Sequence, residues 1–423
     1  MSATPQAIHT KCCVVGGGPA GMVLGFLLAR AGVDVVVLEK HADFLRDFRG
    51  DTIHPSTLEI VHELGLLDDF LRRPHQEAPV LVGNVAGVEF PLADFASLPT
   101  TCKFIALMPQ WDFLNFVAER AKKYPTFRLV MRAAVTDLLR DGERVTGVRA
   151  TTPDGPLDVR ADLVVGADGR HSIVRDRAGL PVRDLGAPMD VLWMRLSRRP
   201  EDGDHPVGRF DRGRIFIMIY RGDYWQCAFV IPKGSHAEVM ARGLDAFRAD
   251  IVGVAPMLAD RVSELRSWDD VKLLTVKVDR LRKWWLPGLL CVGDAAHAMS
   301  PVGGVGINLA IQDAVAAANQ LAEKLKTGTA TNNDLAAVQR RRTLPTQLTQ
   351  WIQVQVQKRV ITRALAAKGP LKVPSLVNLF RRFRILRRIP ARLIGLGVRP
   401  EHVHTPDAFP HTRLDGPPHV PAS

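Results

Sequence analysis

At 423 residues, with 46% hydrophobic and 24% charged residues, the chain has room for two or three domains and the composition of a globular protein, not of a disordered or fibrous one. Its net charge of +12 is local: fifteen Lys or Arg and no Asp or Glu lie between Leu335 and Pro400, so the rest is slightly acidic and no nucleic-acid binding is expected. Cys12, Cys13, Cys102, Cys227 and Cys291 are odd in number and lack metal-ligand spacing, so they read as reduced, buried thiols of a cytoplasmic protein and no metal site is expected.

The N-terminus, MSATPQAIHTK, lacks the apolar core of a secretory signal. The apolar run from Cys12 to Leu38 is interrupted by glycines, Pro19, Arg30 and Asp34, which fits a strand, a turn, a helix and a second strand better than a membrane span. Lys11 to Val15 reads as a buried parallel strand followed at once by GGGPAG, Gly16 to Gly21. A helix then runs to about Ala31, and a strand from Asp34 to Leu38 ends in Glu39. In this pattern Gly16 permits the tight turn, Gly18 lets backbone approach a pyrophosphate, and Gly21 allows close packing of helix on sheet. Glu39 can bind ribose hydroxyls and would repel a 2′-phosphate, so the ligand is FAD or NAD(H), and the fingerprint does not choose between them.

Arg46 and Arg49 precede a helix predicted from about Pro55 to Leu64, with Ser56, Thr57 and Glu59 in its first turn as in a capped terminus. The two arginines either neutralise a pyrophosphate or form a solvated surface pair. Irregular strands are expected over Pro79 to Lys103, then a helix from Pro109 or Gln110 to Lys123. Leu163 to Ala167 reads as another buried strand ending in Asp168-Gly169, and the helix after it brings Ser172 and Arg175 to the same edge. From about Gly186 the pattern turns antiparallel, and RIFIMIY and YWQCAFVIP read as a hairpin across Arg221-Gly222-Asp223. Phe216, Met218 and Tyr220 share one face and Ile215, Ile217 and Ile219 the other; either one face lines a pocket or both pack. Tyr220 and Tyr224 are the candidates for a phenolic hydroxyl at a substrate site. A helix is expected from His236 to Ile251.

The stretch Leu289 to Asp313, LLCVGDAAHAMSPVGGVGINLAIQD, combines an apolar strand, a Gly-Asp pair, a Gly-rich turn around Pro301 and a helix opening near Gly306. It aims a carboxylate and free backbone N–H groups at one spot, where a partly anionic, hydroxyl-bearing ligand belongs.

Together, GGGPAG with Glu39, GADGRHSIVR and VGDAAHAMSPVGGVGIN resemble, over roughly residues 10 to 345, the class A FAD-dependent aromatic hydroxylases, the p-hydroxybenzoate hydroxylase-like flavoprotein monooxygenases. The resemblance implies an α/β fold: a Rossmann-like FAD-binding domain of the GR2 type with an inserted antiparallel substrate sheet and C-terminal helices. It implies that Gly16, Gly18, Pro19, Ala20 and Gly21 hold the FAD pyrophosphate and that Glu39 and Lys40 meet the adenosine end. Arg49 matches the pyrophosphate arginine, and Gln110 the glutamine near the ribityl chain. Asp168, Gly169 and Arg175 belong to a motif associated with both FAD and NAD(P)H. Gly293 and Asp294 would bind the ribityl chain, while Pro301, Gly304, Gly306, Ile307 and Asn308 border the isoalloxazine ring. The implied reaction is that of a single-component monooxygenase: NAD(P)H and O₂ give a flavin C4a-hydroperoxide that hydroxylates an aromatic or similarly electron-rich small molecule. His54 and Tyr220 are the candidates for proton handling, with Asp51 and Tyr224 behind them, whereas His297 reads as structural or flavin-adjacent rather than catalytic. The alternatives are an FAD-dependent reductase or dehydrogenase of a prenyl or polyene substrate, and a flavin-based redox sensor at a membrane surface.

The expected organisation is a discontinuous FAD-binding domain over 1–78, 104–185 and 281–334, and a substrate sheet over 79–103 and 186–280. A basic helical segment over 335–404 and a loose tail over 405–423 follow. In the basic segment Phe380, Phe383 and Leu386 fall at helical spacing with Arg381, Arg384 and Arg388 on another side. Such a helix either packs on the body, in a monomer or homodimer, or makes peripheral contact with an anionic membrane.

Overall fold

A computed structural model describes residues 6–45, 52–203, 206–369, 371, 373 and 375–410. Strands whose central members end in continuous apolar runs, suited to cover on both faces, form the parallel part of the main sheet in the order Leu289–Cys291, Gly155–Gly166, Gln6–Val15, Val35–Leu38, Phe127–Val130. Val15 lies level with Leu38 and Gly166, and Gly166 level with Cys291. The residues that follow these strand ends, Gly16, Glu39, Asp168 and Asp294, are therefore gathered at one edge, where open α/β sheets bind ligands. Helices Pro19–Arg30, Gln110–Ala121 and Val305–Thr327 supply residues to the main core beside the sheet, including Leu24, Phe116 and Val315.

The second sheet runs Lys272–Leu274, Met189–Ser197, Tyr224–Pro232, Arg214–Tyr220, Val207–Asp211, Val80–Val85, Val88–Asp94, and is antiparallel except between Val207–Asp211 and Val80–Val85. The expected hairpin is present, with Phe216 opposite Phe229 and Ile217 opposite Ala228. Both of its faces are covered. Phe216 and Met218 pack with Trp225, Cys227 and Phe229 against Phe247 and Ile251 of helix Leu244–Val254, while Ile215 joins Val191, Ala228 and Val230 in a cluster that also meets Val302. The single helix expected over His236 to Ile251 is two, His236–Ala241 and Leu244–Val254, separated by Gly243 at φ 85°.

Two expectations at the C-terminus are corrected. Phe380 and Phe383 do not share one continuous helix: Ser375–Arg382 ends where Phe383 takes φ −114° and ψ 101°, and a 3₁₀ turn leads into Arg388–Gly395. The start of the supposed loose tail is docked, because the Arg30 guanidinium donates to the Thr405 carbonyl (2.6 Å) and the Ala408 N–H donates to the Arg30 carbonyl (2.8 Å). The Tyr124 hydroxyl also donates to Asp407 (3.2 Å). Residues 411–423 lie outside the described residues. All five cysteines are buried and free. Among the described residues no helix is long and apolar enough to cross a membrane.

Candidate active site

At the first strand end the fingerprint is built by contact. A Cβ on Gly21 would stand 1.9 Å from the Gly16 carbonyl oxygen, so only glycine lets the helix start this close to the turn. A Cβ on Gly18 would meet nothing within 4 Å. That open cradle lies at a helix start with no side-chain cap and no acidic residue in its first turn, which suits a pyrophosphate. Glu39 is nearly buried, its carboxylate accepting from the N–H groups of Gly17 (2.9 Å) and His41 (3.0 Å), and Lys40 is exposed. Arg46, Arg49 and Asp51 lie outside the described residues.

Asp168 holds its own loop. It accepts from the Ser172 hydroxyl (2.5 Å) and the Val174 N–H (3.1 Å), while Ser172 caps the short helix Ile173–Arg177. Burial raises its pKa against these hydrogen bonds. Arg175 is buried, donating to the Arg170 carbonyl (2.9 Å) and standing 3.9 Å from Asp279. Arg170 in turn reaches Asp294 at 3.3 Å. Asp294 is thus a partly exposed carboxylate at the strand edge. Asp294→Ala is expected to weaken FAD retention about tenfold or more, the worth of one charged hydrogen bond; flavin kept as tightly as by the parent after gel filtration would exclude the placement.

Gly304 takes φ 63° at the start of Val305–Thr327, and a Cβ there would lie 2.5 Å from Thr52 Oγ1. Asn308 is fully engaged as a brace: it accepts from the His54 N–H (2.9 Å) and the Thr57 hydroxyl (2.8 Å) and donates to the carbonyls of Thr52 (3.0 Å) and Gly304 (3.3 Å). Thr57 is thereby used across the fold and the helix Pro55–Glu63 has no side-chain cap, contrary to expectation. His54 is wholly buried, and its Nδ1 lies 2.7 Å from the Ile394 carbonyl oxygen. A carbonyl only accepts, so Nδ1 carries the hydrogen and Nε2 is a lone pair, with no partner among the described residues. It lies near Gly304, where a Cβ would be 3.5 Å away. Burial lowers its pKa to about 4 against the Ile394 hydrogen bond, so the ring is neutral at pH 7.

Tyr220 sits elsewhere. It packs against the Phe216–Met218 side of the sheet, its ring 6.0 Å from Trp225 and beneath the Arg198 guanidinium, whereas Val302 of the glycine-rich turn meets the opposite face. Tyr220 shares the face of Phe216, so the structure does not bring it to the turn and it is not carried further as a proton-handling residue. Tyr224 lies under Arg195 (3.9 Å). Gln110 opens helix Gln110–Ala121, half-buried, and Pro301, Gly306 and Ile307 are likewise half-buried around the turn.

Two supports escaped the sequence reading. Gln350, Gln353 and Gln357 are buried along one face of the helical run from Asn332 and hold the turn from behind. Gln350 donates to the Ala298 carbonyl (3.1 Å), Gln353 to those of Ser300 (3.0 Å) and Val302 (2.9 Å), and Gln357 to the Ser300 hydroxyl (2.6 Å). Their spacing of three and four residues was the available signal. The second support is ionic. Asp313 bonds His297 (2.5 Å), the Gly293 N–H (3.1 Å) and Arg342 (2.8 Å), and Arg342 reaches Glu401 (3.1 Å). His297 therefore has a buried carboxylate partner.

The FAD binding domain profile matches residues 9–352. The chain is 35% identical over 388 residues to 6-methylpretetramide 4-monooxygenase of Streptomyces rimosus, covering 90% of this chain and 92% of that one. It is 24% identical to para-nitrophenol 4-monooxygenase of a Pseudomonas strain, over 78% of this chain and 82% of the relative. Among solved structures, a probable FAD-dependent monooxygenase of Pseudomonas aeruginosa superposes with TM-score 0.72 at 25% identity, covering 85% of this chain and 98% of that one.

Proposed function

The chain belongs to the FAD binding domain family and is an FAD-dependent monooxygenase, and we propose that it hydroxylates a fused-ring phenol, with NADPH or NADH as electron donor. The observation that carries the substrate class is the 35% identity, along nearly the whole length of both chains, to an enzyme named for a pretetramide. The reductase and redox-sensor alternatives fall away, because the named relatives insert oxygen.

FAD, when bound and reduced, supplies an activated oxygen atom derived from O₂. The chain's own residues do the rest. The open cradle at Gly18 and the uncapped helix start receive the pyrophosphate, Glu39 the adenosine ribose, and Asp294 the ribityl hydroxyls. The turn from Pro301 to Asn308, fixed by the glutamines and Asn308, borders the flavin ring, and Ile215, Ile217 and Trp193 supply the apolar wall that excludes water. His54 Nε2 accepts the substrate's phenolic proton. As the ring gives electrons to the incoming oxygen, its hydroxyl becomes a protonated carbonyl, a strong acid, so a base as weak as His54 suffices.

Purified protein incubated with NAD(P)H, a panel of fused-ring phenols and ¹⁸O₂ should yield singly labelled product. Unlabelled product would overturn the oxygenase reading, and activity on one-ring phenols alone would overturn the substrate class. Buried reduced cysteines suit a cytoplasmic location.

The C-terminal helices also favour peripheral membrane contact. Phe383, Ile385 and Ile389 are 46%, 65% and 62% exposed amid Arg381, Arg382, Arg384, Arg387 and Arg388. Self-association through this patch would oppose arginine to arginine, whereas an anionic lipid surface accepts both the charge and the apolar side chains. The protein should co-sediment with phosphatidylglycerol vesicles at low salt, and reversing Arg381, Arg384 and Arg388 to Glu should abolish this; retained binding in that variant would clear the segment of the role.

A further inference from the structure

Strands Val182–Asp184 and Asp279–Leu281 pair antiparallel beside helix Asn332–Val356. Between them lies a cleft of about 300 Å³ lined by Arg183, Arg280, Arg282, Trp284, Gln339 and Thr346, among others. The register sets Arg183 directly opposite Arg280. Like charges so opposed repel, and burial together with Arg183 lowers the Arg280 pKa. Among the described residues none of the three arginines has a carboxylate partner. The adjacent carboxylate, Asp279, is engaged elsewhere, accepting from the Ala298 N–H (3.2 Å) and standing 3.9 Å from Arg175.

The wall behind the arginines is fixed. Gln339 accepts from the Trp284 N–H (3.1 Å) and donates to the Arg282 carbonyl (2.9 Å), and Arg280 donates to Gln350 (3.3 Å). Thr346 is 1% exposed and its hydroxyl has no partner among the described residues. A cleft with opposed guanidinium groups and, among the described residues, no counter-charge and no partner for a hydroxyl in its lining is complementary to a multiply charged oxyanion.

We propose that this cleft binds a phosphate group of the pyridine nucleotide that reduces the flavin, an inference that rests on the electron donor named above. A phosphate placed between Arg183 and Arg280 accepts from both and removes their repulsion. The position is apt. Leu281 donates to the Ala296 carbonyl (2.7 Å) and Asp279 holds Ala298, so the cleft backs onto the segment that presents Asp294. Both the 2′-phosphate of NADPH and the pyrophosphate common to NADPH and NADH have the required chemistry.

The test is calorimetric titration of the FAD-loaded enzyme with NADPH, NADH and inorganic pyrophosphate, for the parent and for Arg183→Gln and Arg280→Gln. Each variant should lose about tenfold or more in nucleotide affinity at unchanged FAD content, and pyrophosphate should compete with nucleotide on the parent. A loss confined to NADPH assigns the 2′-phosphate, and an equal loss for both nucleotides assigns the pyrophosphate. Parent-like affinity in both variants overturns the cleft while leaving the electron donor standing. A parent that binds neither nucleotide overturns both.

Discussion

His54→Ala is expected to lower the rate of hydroxylation by about two to four orders of magnitude, the usual contribution of a positioned acid–base group, with FAD still bound. The argument rests on geometry. The Ile394 carbonyl fixes the tautomer, and Nε2 is left as a buried lone pair beside the glycine-rich turn. Flavin reduction by NAD(P)H does not use that lone pair, so it should persist, and the variant should consume NAD(P)H and O₂ without oxygenating substrate. The pH dependence has a definite sign. Activity requires the neutral ring, so the parent's turnover should fall as pH drops through about 4, the value to which burial lowers His54. Stability follows the same direction. The folded ring resists protonation relative to the ordinary 6.5, so its contribution is present above that value and is lost between about 6.5 and 4, amounting to about 3 kcal/mol. Acid denaturation of the alanine variant should lack that component. Equal product yield from variant and parent at pH 7 would remove His54 from the chemistry.

What could be read in the chain beforehand was whatever is written locally. The buried ends of the parallel strands, 12–15, 35–38, 163–166 and 289–291, announce themselves as unbroken apolar runs, and the four residues that follow them, Gly16, Glu39, Asp168 and Asp294, come together because parallel register carries each strand end to the same edge. Contacts between distant segments had no such signature. Asn308 reads as a ligand-facing residue of the turn, yet its amide is spent on Thr52, His54 and Thr57, some 250 residues earlier in the chain. The unused nitrogen of His54 depends on a carbonyl at Ile394, in a segment whose composition speaks only of surface charge. Tyr220 differs in another way: its chemistry fits a substrate site and alternation puts it on one face with Phe216 and Met218, but only the contact of Val302 with the opposite face decides which of the two meets the turn. The basic segment hides its role most. Its helix from Asn332 buries Leu335, Val338, Arg342, Thr346, Gln350 and Gln353, a core stripe written largely in polar letters.

Arg342→Met should therefore cost far more than an arginine in a basic segment would. Arg342 and Asp313 are 1% and 0% exposed, and removing one member of a buried, hydrogen-bonded ion pair leaves the other charge desolvated, at about 3–5 kcal/mol. Burial pushes the Asp313 pKa up, yet His297 and Arg342 hold it below the ordinary carboxylate value. Its ionised form thus adds stability above that ordinary value, and the contribution is lost as pH falls through the lower folded one. The consequence reaches the flavin. The carboxylate that Arg342 neutralises also accepts from the Gly293 N–H and binds His297, which flank Asp294 on either side. Loss of Arg342 should lower the melting temperature of the FAD-loaded protein and speed flavin release, and Asp313→Asn should do the same. Because both substitutions break one ion pair, their effects should fall well short of additive in the double variant. Glu401 completes the network at Arg342, so truncation after Val398 should reproduce part of the loss although it removes only the chain's end. Additive effects of Arg342→Met and Asp313→Asn, with flavin retained by both, would separate the network from the turn that presents Asp294.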